Sequence, residues 1–236
     1  MMKTIRGTLA LVGAGEYLPG VDAIDHFLLS RLPAPRRVVC LPTAAGAEGA
    51  QRLGYWADLG VNHFTRLGVE VQSLPVFDRA SAQEPRLAEQ VAAANFVYLS
   101  GGKPTYLYDV LQGTAVFEAI THVLDTGGVV AGCSAGAMIW GERIPRFPPP
   151  PVWQQGFAYL PHVVILPHFD EMSHVMTNIL HFILGSGQTL VGIDGNTALI
   201  LMEETLTVAG SGGVTVWNSE QKERYTAGDL VSLPTL

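Results

Sequence analysis

The chain has 236 residues, of which 48% are hydrophobic and 15% charged, so it is long and apolar enough to bury a substantial core. Its formal net charge of −7, without a cluster of Lys or Arg, argues against a nucleic-acid partner. No apolar run approaches the roughly 20 residues of a membrane-spanning helix, and the run near the amino terminus is too short for a signal peptide. With Cys40 and Cys133 both in or beside apolar runs, we expect residues 1–236 to form one domain of a soluble, cytoplasmic protein.

Short apolar runs alternate with longer amphipathic segments up to Ser134. Continuous apolar sequence in a strand indicates that both of its faces are covered, as in a parallel sheet with helices on either side. Helices are predicted over 85–94 and over 104–127, the second divided at Gly113. The pattern predicts an α/β fold with a doubly wound, mostly parallel sheet flanked by helices. The predicted strands lie in the runs 8–13, 37–43, 69–76, 95–102 and 127–134.

A proline-rich segment interrupts this pattern. Five prolines between residues 143 and 155 exclude a regular helix or a central strand and predict a surface loop. Because the loop lies between the Ser134 turn and the strand predicted at 162–169, it is either a wall beside a site or a rigid crossing connection.

The last part of the chain is predicted to contain one helix and a hairpin. The helix covers 170–185, capped by Asp170 and ended by Gly185, with its apolar residues on one stripe. Strand alternation over 197–218 is broken by the glycines of 210–213, which predicts a C-terminal β-hairpin at one edge of the sheet.

A glycine-flanked serine follows the fifth apolar run. The segment G-C-S-A-G fits the G-x-S-x-G pattern of a nucleophile turn between a strand and a helix. Glycines two places before and after Ser134 relieve the collisions of so sharp a turn, whereas Cys133 has alanines at the matching places. The helix that begins at Ala135 points its amides at the central side chain, where they can hold an oxyanion. Ser134 is therefore predicted to be the nucleophile and Cys133 a packed small residue.

A serine nucleophile needs a base, and His168 is the histidine whose position suits that role best. It lies at the end of a predicted strand, where open α/β sheets place ligand-binding residues. The other six histidines fall in predicted helices, in loops or at strand starts. Histidine and acid spacings match no standard zinc signature, so we expect no metal site.

Two glycine-rich stretches end other predicted strands. After the first strand, V-G-A-G-E-Y has Leu18 where a dinucleotide-binding pattern needs its third glycine, which argues against a dinucleotide. The same loop brings Glu16 close to the expected position of Ser134. Gly101 and Gly102 end the fourth run, where their amides can approach a substrate carbonyl and provide a second oxyanion donor.

In their order along the chain, these motifs resemble the serine peptidase family of cyanophycinase and aspartyl dipeptidase (dipeptidase E), related to class I glutamine amidotransferases. The resemblance lies in LVGAGE, VVCLPTAA, VYLSGGKPTYL, GGVVAGCSAGAM, GFAYLPHVVILPHF and VGIDGNTALIL. It implies a mostly parallel sheet with the serine turn at its centre, and a cofactor-independent hydrolase acting beside aspartate residues. It also implies that Ser134 is the nucleophile, that His168 is the base, and that the amides of Gly102 and Ala135 form the oxyanion hole.

One departure from the family concerns the acid that orients the histidine. Where the family commonly has a glutamate after G-I-D, this chain has Gly195. Asp194 is adjacent, but neighbouring side chains of an extended segment point to opposite faces. Further candidates for this role are Glu16, Asp170, Glu171 and the uncharged Asn196, and the sequence does not decide among them.

Further departures concern the substrate. After the double glycine the family often has a polar pair such as Asp-Gln or Asn-Thr, whereas this chain has Lys103 and Pro104. Met172, His174 and Thr177 stand where cyanophycinases have arginines. These differences argue against cyanophycin as the substrate. The cations that can meet a substrate carboxylate are Lys103, Arg143 and Arg146.

Three functions remain open at this point. The first is a serine hydrolase that cleaves a small peptide or isopeptide bond through an acyl-enzyme. The second is a catalytically weak or inactive member of the fold that binds a small ligand or partner in the same pocket. The third is a glutamine amidotransferase domain that uses Cys133. A homodimer is a further expectation for this fold.

Overall fold

A parallel sheet forms the centre of the computed structural model, which describes residues 3–146, 152–185 and 187–233. Its parallel strands are β1 (Thr8–Val12), β2 (Arg37–Leu41), β3 (Glu70–Ser73), β4 (Phe96–Leu99) and β5 (Val129–Cys133). They lie side by side in the order β1-β5-β4-β2-β3, and each falls within one predicted apolar run. Every residue of β1, β4 and β5 is buried, because both faces of the sheet are covered.

Helices cover both faces of this sheet, so the predicted doubly wound arrangement is confirmed. Along β1, Leu9 and Leu11 pack into one apolar cluster, whereas Ala10 and Val12 pack into another on the opposite face. The helix predicted over 104–127 is divided at Gly113, as expected. The helices are α1 (Asp22–Ser30), α2 (Ala50–Arg66), α3 (Arg79–Ala82), α4 (Pro85–Ala92), α5 (Pro104–Leu111), α6 (Ala115–Asp125), α7 (Ala135–Met138) and α8 (His174–Leu184).

Antiparallel strands extend the sheet beyond β1. They are β10 (Thr197–Met202), β11 (Thr205–Gly210) and β14 (Leu230–Val231). The C-terminal hairpin is therefore present, but its turn lies at Glu203 and Glu204, whose φ angles are 48° and 66°, and not at the glycines of 210–213. Those glycines instead carry the chain out of this sheet.

A second, four-stranded sheet was not foreseen as a separate unit. It contains β8 (Val163–Leu166), β9 (Thr189–Ile193), β12 (Gly213–Trp217) and β13 (Lys222–Thr226), in the order β13-β12-β9-β8. Val191 and Val214 of this sheet belong to the same apolar cluster as Leu9 and Leu11 of β1. The second sheet thus packs into the core of the first, and it brings the end of β8 to the site described below.

Two segments differ in the structure from the sequence expectation: the proline-rich segment and the start of α8. The proline-rich segment is not irregular throughout, because β6 (Arg143–Arg146) and β7 (Val152–Gln155) pair as a ribbon; residues 147–151 lie outside the described residues. Helix α8 begins at His174, because the Ser173 side chain accepts a hydrogen bond from the Met176 amide. Asp170 is therefore not the cap of this helix.

None of the helices in 3–146, 152–185 and 187–233 has the length and apolar character needed to span a bilayer.

Candidate active site

The turn between β5 and α7 presents Ser134. Its φ of 51° and ψ of −110° form a backbone conformation that residues with a side chain rarely adopt. A Cβ atom at Gly132 would lie 2.1 Å from the carbonyl oxygen of Gly136, and one at Gly136 would lie 2.3 Å from that of Leu99. Strand and helix are packed so closely that both flanking positions require glycine.

His168 meets Ser134 from the second sheet. It follows β8 in a left-handed conformation, with φ of 52° and ψ of 36°, which turns the chain out of the strand. Its Nε2 atom lies 3.2 Å from Ser134 Oγ, although the two residues are 34 positions apart. The distance is that of a hydrogen bond and within the reach of a general base.

On its other side, the imidazole of His168 faces Glu171. The Nδ1 atom of His168 lies 3.5 Å from Glu171 Oε2, within one short 3₁₀ turn (Phe169–Glu171). Within the described ranges, no other carboxylate lies within 4.0 Å of this histidine. The contact is open to water, because the side chain of Glu171 is 69% exposed and that of His168 is 43% exposed.

The other acids proposed from the sequence have different partners. Asp194 is buried and accepts hydrogen bonds from the Gly213 amide and from the guanidinium group of Arg224. Asp170 Oδ1 accepts a hydrogen bond of 2.8 Å from the amide of Gly195, the position at which the family commonly has its glutamate.

Asn196 and Lys103 lie at different places around the site. The Asn196 side chain lies so close to the loop after β1 that a Cβ atom at Gly15 or Gly20 would come within 2.4 Å of its Oδ1. Lys103 is exposed at the start of α5, and no ion pair involves it within the part of the chain that the structure describes.

Glu16 lies beneath the Ser134 turn. This buried side chain accepts a hydrogen bond of 2.8 Å from the Gly101 amide at Oε1 and one of 2.9 Å from Cys133 Sγ at Oε2. Burial, and next the charge of Glu16, raise the pKa of the Cys133 thiol well above its usual range. A buried, protonated thiol is a poor nucleophile, so Ser134 is favoured over its neighbour.

Two backbone amides near Ser134 have no partner among the described residues. Gly102 is exposed with φ of 143°, and a Cβ atom there would lie 2.5 Å from the carbonyl group of Ala44. Its amide and that of Ala135, the first residue of α7, donate to no acceptor in the described ranges. Free amides beside a serine hydroxyl can hold the oxyanion of a tetrahedral intermediate.

The pairing of His168 with Glu171 is the feature that sequence reasoning did not single out. Glu171 was one of several candidate acids, and the only signal for it was its spacing of three residues from His168. That spacing brings side chains together when the intervening chain is helical. The sequence did not show that a 3₁₀ turn would begin directly after His168.

The chain has the fold of the class I glutamine amidotransferase-like α/β proteins, with a serine and a histidine in contact at the carboxyl edges of β5 and β8. The sequence profile of peptidase family S51 matches residues 9–209. The chain therefore belongs to peptidase family S51.

Individual relatives agree with this assignment. A crystal structure of a peptidase from an acI-B1 Actinobacterium superposes with a TM-score of 0.86 at 33% identity, covering 97% of this chain and 98% of that one. A crystal structure of a protein from Listeria monocytogenes EGD-e, at 18% identity, has a TM-score of 0.67, covers 89% of this chain and 100% of that one, and shows the fold alone.

Curated relatives include a cyanophycinase from Synechococcus elongatus, 29% identical over 221 residues. The match covers 88% of this chain but only 66% of that protein, just under two thirds of its length. The cyanophycinase from Geminocystis herdmanii is 26% identical, with 98% of this chain and 88% of that protein covered.

Proposed function

We propose that this chain is a serine peptidase that cleaves a small peptide or isopeptide bond through an acyl-enzyme on Ser134. The observation that carries the proposal is the 3.2 Å contact between Ser134 Oγ and His168 Nε2 at a strained turn. Membership of peptidase family S51 and the likeness to cyanophycinases support it.

In the proposed mechanism, His168 Nε2 accepts the hydroxyl proton as Ser134 Oγ attacks the substrate carbonyl carbon. The resulting oxyanion is held by the amides of Gly102 and Ala135. The imidazolium then donates its proton to the departing amine as the C–N bond breaks, which leaves an ester on Ser134. Water attacks this ester with His168 again as the base, and the acid product departs while the serine regains its proton.

Glu171 is the carboxylate that we propose orients His168. It lies 3.5 Å from the Nδ1 side, where its negative charge favours the tautomer that carries the proton on Nδ1 and leaves Nε2 free to take a proton. Because the carboxylate of Glu171 is largely exposed, it holds the imidazole of His168 less strongly than a buried acid would. We therefore propose a slower enzyme than a triad with a buried acid.

An anionic group next to the scissile bond is the substrate feature that the site favours. Lys103 is exposed directly after Gly102, close to the proposed oxyanion hole. We propose that it binds a side-chain or terminal carboxylate, in keeping with hydrolysis beside aspartate. Of the other cations, Arg143 lies 3.9 Å from Glu142, which partly compensates its charge.

Labelling with a fluorophosphonate probe, followed by peptide mass spectrometry, tests the proposal. The expected result is an adduct on Ser134 that the Ser134→Ala variant lacks. A folded wild-type protein that forms no adduct, or an adduct only elsewhere, would contradict it. Hydrolysis of α- and β-aspartyl dipeptides, compared between wild type and Lys103→Met, then tests the substrate class.

A non-catalytic role in ligand binding is the second candidate. Gly195 at the family's glutamate position and the exposure of Glu171 favour it. A wild-type chain that stays unlabelled yet binds an aspartyl dipeptide in calorimetry would support this candidate over the peptidase.

We also propose a homodimer and a cytoplasmic location. The outer face of α8, formed by the exposed Val175, Ile179, Phe182 and Ile183, contains no Asp, Glu, Lys or Arg and supports the dimer. The two free, buried thiols of Cys40 and Cys133 are in keeping with a reducing compartment.

A further inference from the structure

We infer that Glu16 is a positioning residue that holds the Gly101–Gly102 loop in the geometry of an oxyanion hole. The inference rests on the proposed function, because it concerns the donor that stabilises the transition state of that reaction. Glu16 does not face His168 and is not assigned a proton-transfer role.

The loop after β4 is anchored on both sides of its free amide. The Gly101 amide donates to Glu16 Oε1 at 2.8 Å, and the Lys103 amide donates to the carbonyl oxygen of Ala44 at 2.9 Å. Between them lies the amide of Gly102, which has no acceptor among the described residues. The two anchors therefore fix the peptide groups on either side of the free Gly102 amide, which is the proposed oxyanion donor.

A single carboxylate connects three neighbouring strands of the sheet. Glu16 follows β1, Cys133 ends β5, Gly101 follows β4, and the spatial order of these strands is β1-β5-β4. With its two oxygens bonded to Cys133 and Gly101, Glu16 spans the end of β5 directly beneath Ser134. A shift of this carboxylate displaces the oxyanion loop relative to the nucleophile.

The burial of Glu16 also supports its role as a positioning residue. A buried carboxylate is costly unless its oxygens are satisfied, and no cation lies within 4.0 Å of Glu16 in the described ranges. The contact leaves no room at Gly101, where a Cβ atom would lie 2.6 Å from Glu16 Oε1 and 3.4 Å from Ser134 Cβ. Glycine at 101 and glutamate at 16 are thus matched to each other.

Three substitutions separate positioning from simple packing. Glu16→Ala removes the acceptor of the Gly101 amide and should lower the rate of fluorophosphonate labelling at Ser134 by about tenfold to a hundredfold, somewhat less than outright loss of an oxyanion donor. Glu16→Gln keeps an oxygen for that amide and should recover most of the rate. Cys133→Ala removes the thiol contact only and should label within about threefold of wild type, because the bond to Gly101 that orients the loop remains.

A double-mutant cycle provides the decisive measurement. Gly101→Ala alone should slow labelling, because the added methyl group displaces the Glu16 side chain. In the Glu16→Ala background the same substitution should slow labelling far less, because the space that the Glu16 side chain occupied is empty. Rates are expressed per folded protein, with thermal unfolding of each variant as the control. Additive effects in the cycle, or equal labelling rates for wild type and Glu16→Ala, would overturn the inference.

If Glu16→Ala does not fold, the comparison of Glu16→Gln with Gly101→Ala still decides. Slow labelling by both variants, or normal labelling by Gly101→Ala, contradicts the inference. Failure of the proposed function gives a different result from failure of this inference. If the wild-type chain itself is never labelled at Ser134, the proposed reaction is refuted.

Discussion

The two sides of the His168 ring differ in their exposure to water. Nε2 faces the half-buried hydroxyl of Ser134, whereas Nδ1 faces a carboxylate on an exposed turn. An exposed ion pair contributes little, and salt screens it further. The orienting effect of Glu171 should therefore be small compared with that of a buried acid, whose replacement in chymotrypsin-like serine proteases slows catalysis about ten-thousandfold.

Replacing Glu171 with Gln tests this estimate. We expect Glu171→Gln to lower the labelling rate at Ser134 by about tenfold, because the imidazole loses the charge that favours its reactive tautomer. Glu220→Gln, which removes the same charge from an exposed site, is the matched control and should leave the rate unchanged.

Salt provides an independent measurement of the same contact. Raising the salt concentration from 0.05 M to about 1 M should lower the labelling rate of wild type more than that of Glu171→Gln. Only wild type has a charge at position 171 whose interaction with His168 salt can screen. Equal rates for wild type and Glu171→Gln at low salt would show that Glu171 does not orient the histidine.

At the residue scale, the sequence predicted those parts of the site that depend on local geometry. The Ser134 turn could be recognised because G-x-S-x-G specifies the backbone clearance that the turn needs. The carboxylate that faces His168 could not be recognised, because Glu171, Asp170 and Asp194 are all close to His168 or Gly195 in the sequence, and only tertiary packing decides their partners. Asp194 pairs with Arg224, 30 residues away, which no local pattern reveals.

At the element scale, α2 contains two glycines with opposite surroundings. Gly54 is exposed, and a Cβ atom there would meet nothing within 4 Å. Gly60 is buried, and a Cβ atom there would lie 2.9 Å from Cys40 Sγ and 3.1 Å from the ring of Tyr17. Only the second glycine is required by packing between α2 and the sheet.

Alanine at each position should therefore change stability in opposite directions. Gly54→Ala should raise the free energy of unfolding by about 0.5–1 kcal/mol, because alanine favours a helix over glycine. Gly60→Ala should lower it by about 1–2 kcal/mol, since overpacking outweighs the same gain in propensity. Urea denaturation of both variants measures the difference, and a stabilised Gly60→Ala protein would refute the close packing.

Strand prediction succeeded where continuous apolar sequence marked burial on both faces, as in β1, β4 and β5. It failed to define the second sheet, because β13 is Lys-Glu-Arg-Tyr-Thr and almost entirely exposed, so no hydrophobic pattern marks it. The hairpin turn was misplaced for a related reason. The turn was expected at the glycines of 210–213, whereas it is formed by Glu203 and Glu204, which have positive φ angles.

At the scale of the whole molecule, α8 has apolar residues on both of its sides. Leu180 and Leu184 pack into the core beneath it. The opposite side exposes four large apolar residues, Val175, Ile179, Phe182 and Ile183, with Phe182 86% exposed. From His174 to Leu184 the helix contains no Asp, Glu, Lys or Arg, although 15% of the chain is charged. A helix with large apolar side chains on its outer side as well as its inner side is normally covered on both.

We predict that a second copy of the chain covers this face. An uncharged helix face is self-complementary about a two-fold axis, because like side chains meet without repulsion. Stable dimers bury about 800 Å² per partner, more than one short helix provides, so the interface must extend to neighbouring segments. Since α8 follows the turn that holds His168 and Glu171, such an interface would lie beside the site.

Light scattering coupled to size-exclusion chromatography tests the dimer. We expect the wild type at micromolar concentration to have twice the mass of one chain, and Phe182→Asp to have the mass of one chain, because a charge at the centre of the apolar face must be desolvated on association. Phe27→Asp, at a 39% exposed position of α1, which packs on a different apolar cluster from α8, is the control and should remain dimeric. A monomeric wild type, or a Phe182→Asp variant that still dimerises, would show that the outer face of α8 is not the contact.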